Sequence, residues 1–223
     1  MSSWDKLKLQ EFLSSHPQMR LIDYCDEQVV IEGDFFLNAQ MDGYNAVQGI
    51  HNIRITFPAN YPRTLPIVAE LDRGIPRHMD YHIYSDGSFC LGSEVKLKSI
   101  LYDHPTVLYL VEQVVTPFLY KVVHKQKYGI APFGELDHGE AGLIHDYQRL
   151  FGVEGQDAVL QVLRALGMRK REANKLSCPC GCDNRLGKCF YRFSLIQWRR
   201  LERRRWFRKH LSGFKPTVKK KNK

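Results

Sequence analysis

An α+β core followed by a helical, cysteine-rich extension is the architecture this chain predicts, and three observations carry it. Residues 21–71 contain four short stretches with the two-residue period of strands, separated by Gly-, Asn- and Pro-bearing turns. Residues 106–125 instead place Val107, Leu110, Val111, Val114, Val115, Phe118 and Leu119 at helical spacing. Four of the six cysteines crowd into residues 178–189, near the end of a 223-residue chain. That length buries a sizeable core and allows one domain with an extension.

Taken in order, Ser2 or Ser3 caps a first helix over residues 4–15, which Pro17 stops. Trp4, Leu7, Leu9, Phe12 and Leu13 roughly share one of its faces, and Lys6, Lys8 and Gln10 fall on others. Strands follow at 21–24, 29–36 and 50–57, joined by turns such as Asp42-Gly43, and the pattern reads as an antiparallel meander. Cys25 falls on a predicted strand and is expected to be a buried hydrophobe. The corner Phe57-Pro58-Ala59-Asn60-Tyr61-Pro62-Arg63-Thr64-Leu65-Pro66 carries three prolines, which fix the backbone and remove ladder donors. It is a rigid crossover into a fourth strand at 66–71.

Next comes a loop rich in Gly, Ser and Asp, Asp80-Tyr81-His82-Ile83-Tyr84-Ser85-Asp86-Gly87-Ser88-Phe89-Cys90-Leu91-Gly92. Loops on rigid scaffolds are where chemistry tends to sit. Cys90, with His82 eight residues before it, is a candidate nucleophile with a polar neighbour to stabilise charge. A lone cysteine is also often a small buried hydrophobe. Residues 93–104 read as a linker, and Pro105 opens the long helix, which Pro117 kinks or ends early. Beyond a Gly/Pro-marked boundary at 128–142, short helices are expected at 140–151 and 157–166, then a very basic helical segment at 192–211.

The corner and the loop together resemble the ubiquitin-conjugating enzymes. That family carries Phe-Pro-x-x-Tyr-Pro-x-x-Pro-Pro and then His-Pro-Asn-Ile-x-x-x-Gly-x-Ile-Cys-Leu. Here they appear as Phe57-Pro58-x-x-Tyr61-Pro62-x-x-Leu65-Pro66 and Asp80-Tyr81-His82-Ile83-x-x-x-Gly87-x-Phe89-Cys90-Leu91. The order of helix, four-stranded meander, corner, active loop and long helix also matches over residues 1 to 125. His82 occupies the family's asparagine position, and the tryptophan that follows the cysteine in eukaryotic members is missing from residues 91–104. The pattern is more similar to divergent bacterial relatives encoded in anti-phage defence operons. Those attach a ubiquitin-like protein, or a signalling nucleotidyltransferase, to other proteins.

The resemblance implies a ubiquitin-conjugating-like fold and an enzyme. Cys90 would carry a C-terminal glycine as a thioester and pass it to an amine, which requires an accessible, partly deprotonated thiol. His82 would donate to the developing oxyanion, worth roughly 3–4 kcal/mol for a fixed donor, or brace the loop. Asp80, Asp86, Glu94, Asp103 and His104 are further candidates for orienting or deprotonating a lysine, and each is equally a solvated loop charge. Tyr61 supports the corner. The first helix, through Trp4, Lys6 and Lys8, would be the docking face for an activating enzyme. A ubiquitin-like protein and a protein substrate would be the other partners.

The formal charge of +9 is unevenly spread. Residues 168–223 hold 19 Lys/Arg against 3 Asp/Glu, whereas the preceding 167 residues hold 14 against 21. Such an arm meets nucleic acid, an acidic protein or a membrane surface, or simply solubilises the chain. The start of the chain lacks a signal pattern and the most apolar helix is too interrupted to span a bilayer, so the expected location is the cytoplasm, with no membrane partner.

Cysteines crowded in a chain without a secretory signal suggest metal before disulfides. Cys178, Cys180, Cys182 and Cys189 offer four thiolates at the short spacing of a structural zinc site. The run resembles the SEC-C type of zinc motif, in which Cys178, Cys180 and Cys189 fit the spacing while the last ligand falls at Phe190, which cannot bind metal. Cys182 or His210 would then complete the site. The segment 198–209 interleaves Trp198, Trp206 and Phe207 with arginines, which suits phosphate contact with base stacking, an acidic partner, or an amphipathic helix packing Phe193, Ile196, Leu201 and Phe207 inward. The expected organisation is a catalytic core at 1–127, a helical connector at 128–167, a zinc-binding module with its basic helix at 168–214 and a disordered basic tail at 215–223. Two rival functions stand beside the transferase: a non-catalytic adaptor that holds a modifier, and a nucleic-acid-binding protein acting through the basic module.

Overall fold

Alternating large apolar and polar side chains assemble a four-stranded antiparallel sheet. In this computed structural model, which describes residues 4–132, 134 and 139–214, β1 (Met19–Tyr24), β2 (Gln28–Ala39), β3 (Val47–Pro58) and β4 (Ile67–Glu70) lie side by side in chain order. The expected α+β class and meander are what form. β2 and β3 pair along their whole length, from Gln28 opposite Pro58 to Ala39 opposite Val47. Ile31, Phe35 and Leu37 of β2 and Val47, Ile53, Ile55 and Phe57 of β3 are buried on one face. On the other, Phe36 lies opposite Ile50, and Arg54 bonds Glu32 at 2.7 Å. A one-residue slip would turn the whole core set outward, so burial pins the register.

The chain divides into two units, Met1–Leu136 and Asp137–Lys223. In the first, the buried sheet face packs with α1 (Leu9–Ser15) and a long helix into one apolar cluster. The long helix runs from α3 (Val107–Leu110) through a π-helical turn (Val111–Val115) into α4 (Thr116–Tyr128). Pro117 neither ends nor breaks it. A proline has no N–H and crowds the carbonyl one turn earlier; the wider turn ahead of it, in which the Thr116 amide bonds the carbonyl of Val111, lets the helix continue.

Three other expectations change. The first helix is two pieces, a 3₁₀ turn (Asp5–Leu7) and α1, because Lys8 between them is left-handed at φ 48°. The linker at 93–104 contains α2 (Glu94–Leu101), which buries Val95, Leu97 and Leu101. Cys25 is exposed, because it falls in the turn between β1 and β2 rather than on a strand. The expected cap at Ser2 or Ser3 and the basic tail at 215–223 lie outside the described residues.

The second unit contains α5 (Gly139–Phe151), α6 (Gln156–Gly167), the short α7 (Lys170–Ala173), α8 (Tyr191–Arg199) and α9 (Arg204–Ser212). Helix α6 packs against α5, α7, α8 and α9. The helices expected as a connector therefore share a unit with the cysteine-rich module. Tyr147, Phe151, Val159, Val162, Leu163, Leu166, Leu186, Leu195, Trp198, Leu201 and Phe207 are buried there. Arg199 closes the end of α6, its guanidinium donating to the carbonyls of Ala165 at 2.5 Å and Met168 at 2.8 Å. It satisfies acceptors that every helix leaves open at its C-terminus. The expected inward set is half right: Leu201 and Phe207 are buried, whereas Phe193 and Ile196 are exposed.

Candidate functional site

Residues 82–90 fold back on themselves as a small hairpin. The Tyr84 amide bonds the Ser88 carbonyl at 2.9 Å, the Gly87 amide bonds the Tyr84 carbonyl at 2.9 Å, and Ile83 bridges Phe89. A three-residue loop with glycine in left-handed conformation is a preferred hairpin connection, and Gly87 takes that place at φ 89°. The hairpin is tied to β4, since the Phe89 amide bonds the Val68 carbonyl at 2.8 Å and the Glu70 amide bonds the Gly87 carbonyl at 3.0 Å. On its other side Phe89 stacks on Phe118 of α4, with centroids 4.7 Å apart. Sheet and helix thus hold the hairpin from two directions.

Cys90 stands at its end, a free and half-buried thiol whose amide bonds the His82 carbonyl at 2.8 Å. His82 and Cys90 therefore face each other across the hairpin. His82 is only 6% exposed and sits in left-handed conformation at φ 53°. The other candidates are engaged nearby or elsewhere. Asp86 accepts from the Ser88 hydroxyl at 2.6 Å and the Ser88 amide at 2.9 Å, and those bonds, the hydroxyl's first, hold its carboxyl below the usual range. Asp80 lies 3.2 Å from the His78 ring. Glu94 accepts from the buried Lys98 ammonium at 2.6 Å. His104 packs on the Tyr109 ring, and Asp103 is exposed.

Four residues that the sequence does not single out complete the loop. Tyr84, 45% exposed, lies beside the Cys90 thiol, and hydrogen bonding to that sulfur, its charge and burial push the phenol up. The signal for it was the hairpin register, because residues diagonal across a strand pair lie within reach of an aromatic side chain. Arg77 donates to the Glu70 carbonyl at 3.1 Å and to the Ser85 carbonyl at 3.3 Å, clamping the loop to β4. The buried Glu70 carboxylate accepts from the Ile75 amide at 3.1 Å and lies 3.4 Å from the ring of the buried His51. The corner is set as expected, with Tyr61 buried edge-on against Phe57.

The expected docking residues do not share a surface. Trp4 is 2% exposed, its indole N–H bonding the Cys25 carbonyl at 2.9 Å. Lys6 donates its ammonium to the Tyr61 carbonyl, and burial lowers its pKa. Lys8 is exposed, 3.7 Å from Glu11. The break at Lys8 is the cause, for it turns the first piece of helix into the core.

A second cluster lies in the second unit. The sulfurs of Cys178, Cys180, Cys182 and Cys189 all fall within 4.8 Å of one another. Cys178 and Cys180 are 3.2 Å apart, and Cys180 and Cys189 3.6 Å. Four thiolates about 2.3 Å from one tetrahedral ion stand about 3.8 Å apart, so the cluster fits a closed four-sulfur site. Backbone geometry builds it. The Cys178 amide bonds the Asn184 carbonyl at 2.8 Å, Ser177 bridges Arg185, and the Tyr191 amide donates to the Cys189 sulfur at 3.4 Å. Burial pushes the Cys178 thiol up, while the Asn184 amide draws Cys182 down to about 7. A cation is what would hold all four as thiolates. His210, the alternative ligand, is instead bonded to the Tyr147 hydroxyl at 2.7 Å and stacked on Trp206.

Among the described residues, no helix is long and apolar enough to cross a membrane. No family model, curated protein or solved structure matches the chain. The residues alone carry the functional reading.

Proposed function

We propose that the first unit is a ubiquitin-conjugating-like transferase of the kind found in bacterial anti-phage systems, working in the cytoplasm. The observation that carries this is the setting of Cys90: a half-buried thiol at the end of a hairpin pinned to β4 and α4, with His82 directly opposite. The Cys90 thiolate attacks the carbonyl carbon of an activated C-terminus, and the activating enzyme's sulfur leaves as a thiolate. An acceptor amine then attacks the same carbon, the bond to Cys90 breaks, and the amine's proton passes to a base. Bond for bond, the modifier moves and the enzyme is regenerated.

His82 braces this loop rather than reaching into it. Its ring is buried, and its left-handed backbone is a conformation that asparagine, aspartate and histidine tolerate better than other side chains. That is a physical reason for histidine to stand where the family has asparagine. Tyr84 flanks the sulfur. Asp86 holds the turn. Zinc on the four clustered cysteines is a structural staple for the second unit, because four protein ligands leave no open position for chemistry.

The test is intact mass after incubation with ATP, the neighbouring activating enzyme and the candidate ubiquitin-like protein, before and after reductant. A reductant-sensitive adduct, absent in Cys90→Ala, is expected. A charged activating enzyme that leaves the chain unmodified would overturn the transferase in favour of an adaptor.

A further inference from the structure

We propose that the second unit binds single-stranded nucleic acid on the outer face of α8, beside the cysteine cluster. The helix is apolar on two sides. Tyr191, Leu195 and Trp198 turn inward, the Tyr191 hydroxyl donating to the Phe151 carbonyl at 2.7 Å and Trp198 being 3% exposed. Opposite them Phe193 is 52% exposed and Ile196 is exposed as well, and Phe190, just before the helix, is 88% exposed. The Phe190 and Phe193 rings are 6.3 Å apart. The Arg192 guanidinium lies 4.6 Å from the Phe193 ring centre and donates to the Gly187 carbonyl, which fixes a cation against that ring.

Charge selects the occupant. Residues 137–223 hold 21 Lys/Arg against 8 Asp/Glu, and none of the 8 falls between Asn184 and Leu201. Arg185 and Lys188 are exposed just before the rings, and Arg203, Arg204 and Arg205 just beyond α8. Cations alone would accept any polyanion. Exposed rings next to them add flat partners for bases, and only an unpaired strand offers its base faces. An acidic peptide would satisfy the cations but would leave the rings without a matching partner. Trp198, which the sequence suggests for stacking, is in the core, and Phe190 and Phe193 take that role.

The inference is independent of the transferase reading, since Cys90 takes no part in it. Fluorescence anisotropy of the full chain with short labelled oligothymidine tests it. Affinity is expected to fall with salt at a logarithmic slope of about −2, as for about three phosphate contacts on a single strand. Phe190→Ala with Phe193→Ala should weaken binding by about 100-fold, each ring contributing about tenfold, while Cys90→Ala binds as the parent does. Both phenylalanines are exposed, and an unchanged circular dichroism spectrum shows that the double variant folds. Equal affinity of parent and double variant, tighter binding to a duplex of the same length, or displacement of the oligonucleotide by polyglutamate would each overturn the proposal.

Discussion

The two units use cysteine in opposite ways. In the first, the Cys90 thiol stands half-buried at the end of a hairpin held by backbone bonds, with Tyr84 beside it. In the second, four thiols converge within 4.8 Å on a segment with little regular structure of its own. A thiol kept apart from other sulfurs and partly open stays available for reaction. Thiols crowded together could instead hold one metal ion, tying a stretch with little regular structure to the helices that carry the unit's core. Placement, rather than residue type, separates the two uses.

The largest expected effect tests the second half of that contrast. Cys189→Ser, or a strong chelator, should remove the cooperative unfolding of the second unit while leaving that of the first. Structural zinc sites contribute on the order of 10 kcal/mol to such modules. Hydrogen exchange resolved along the chain separates the units, and unchanged protection across residues 176–199 would show that the cluster is not a staple.

Next comes the hairpin. A Cβ on Gly87 would stand 2.5 Å from the Glu70 carbonyl oxygen and 2.9 Å from an Arg77 nitrogen, at a φ that side chains rarely adopt. Gly87→Ala should therefore cost about 1–3 kcal/mol and abolish loading of Cys90, while Gly43→Ala, at a similar positive φ but with nothing within 4 Å, keeps loading intact. Tyr84→Phe deletes only the hydroxyl. Alkylation of Cys90 near neutral pH, read by peptide mapping, should slow by up to about tenfold with no loss of folding. An unchanged rate would leave Tyr84 a bystander.

The smallest effect is one of pH. Because Asp86 is held below the ordinary carboxylate range, its bonds to Ser88 stand above that range and are lost as pH falls through the lowered value. The protection of the Ser88 amide, corrected for the intrinsic pH dependence of exchange, should fall only once pH drops below the ordinary carboxylate range, and Asp86→Asn should flatten that dependence. The cysteine cluster should not follow the same curve.

Much of this was legible because the signals were local. The alternation from Ile53 to Phe57, the proline corner and the helical spacing from Val107 to Leu119 each point to one structure. What misled was context. Trp4 looked like one end of a continuous amphipathic helix, and nothing before the fold shows that Lys8 breaks it. Residues 94–101 alternate Val95 and Leu97 with lysines, a pattern too short to distinguish helix from loop. Helix α8 has apolar residues on both sides, so its sequence admits two phases; the Tyr191 bond to Phe151 and the Arg199 cap on α6 select one. Cys90 was legible, but its tyrosine was not, because a diagonal contact exists only once the hairpin register is known.

The π-helical turn ahead of Pro117 has an evolutionary consequence. A π turn holds one residue more than an α turn, so Val111–Val115 is where this helix can take up a single-residue change in length. Length changes elsewhere in the helix would rotate Leu119, Tyr120 and Val122 out of the core. A one-codon deletion inside that turn, paired with Pro117→Ala, would restore a straight helix and keep them in phase. Natural variation in the length of this helix is therefore expected to concentrate at that turn, coupled to the presence or absence of the proline.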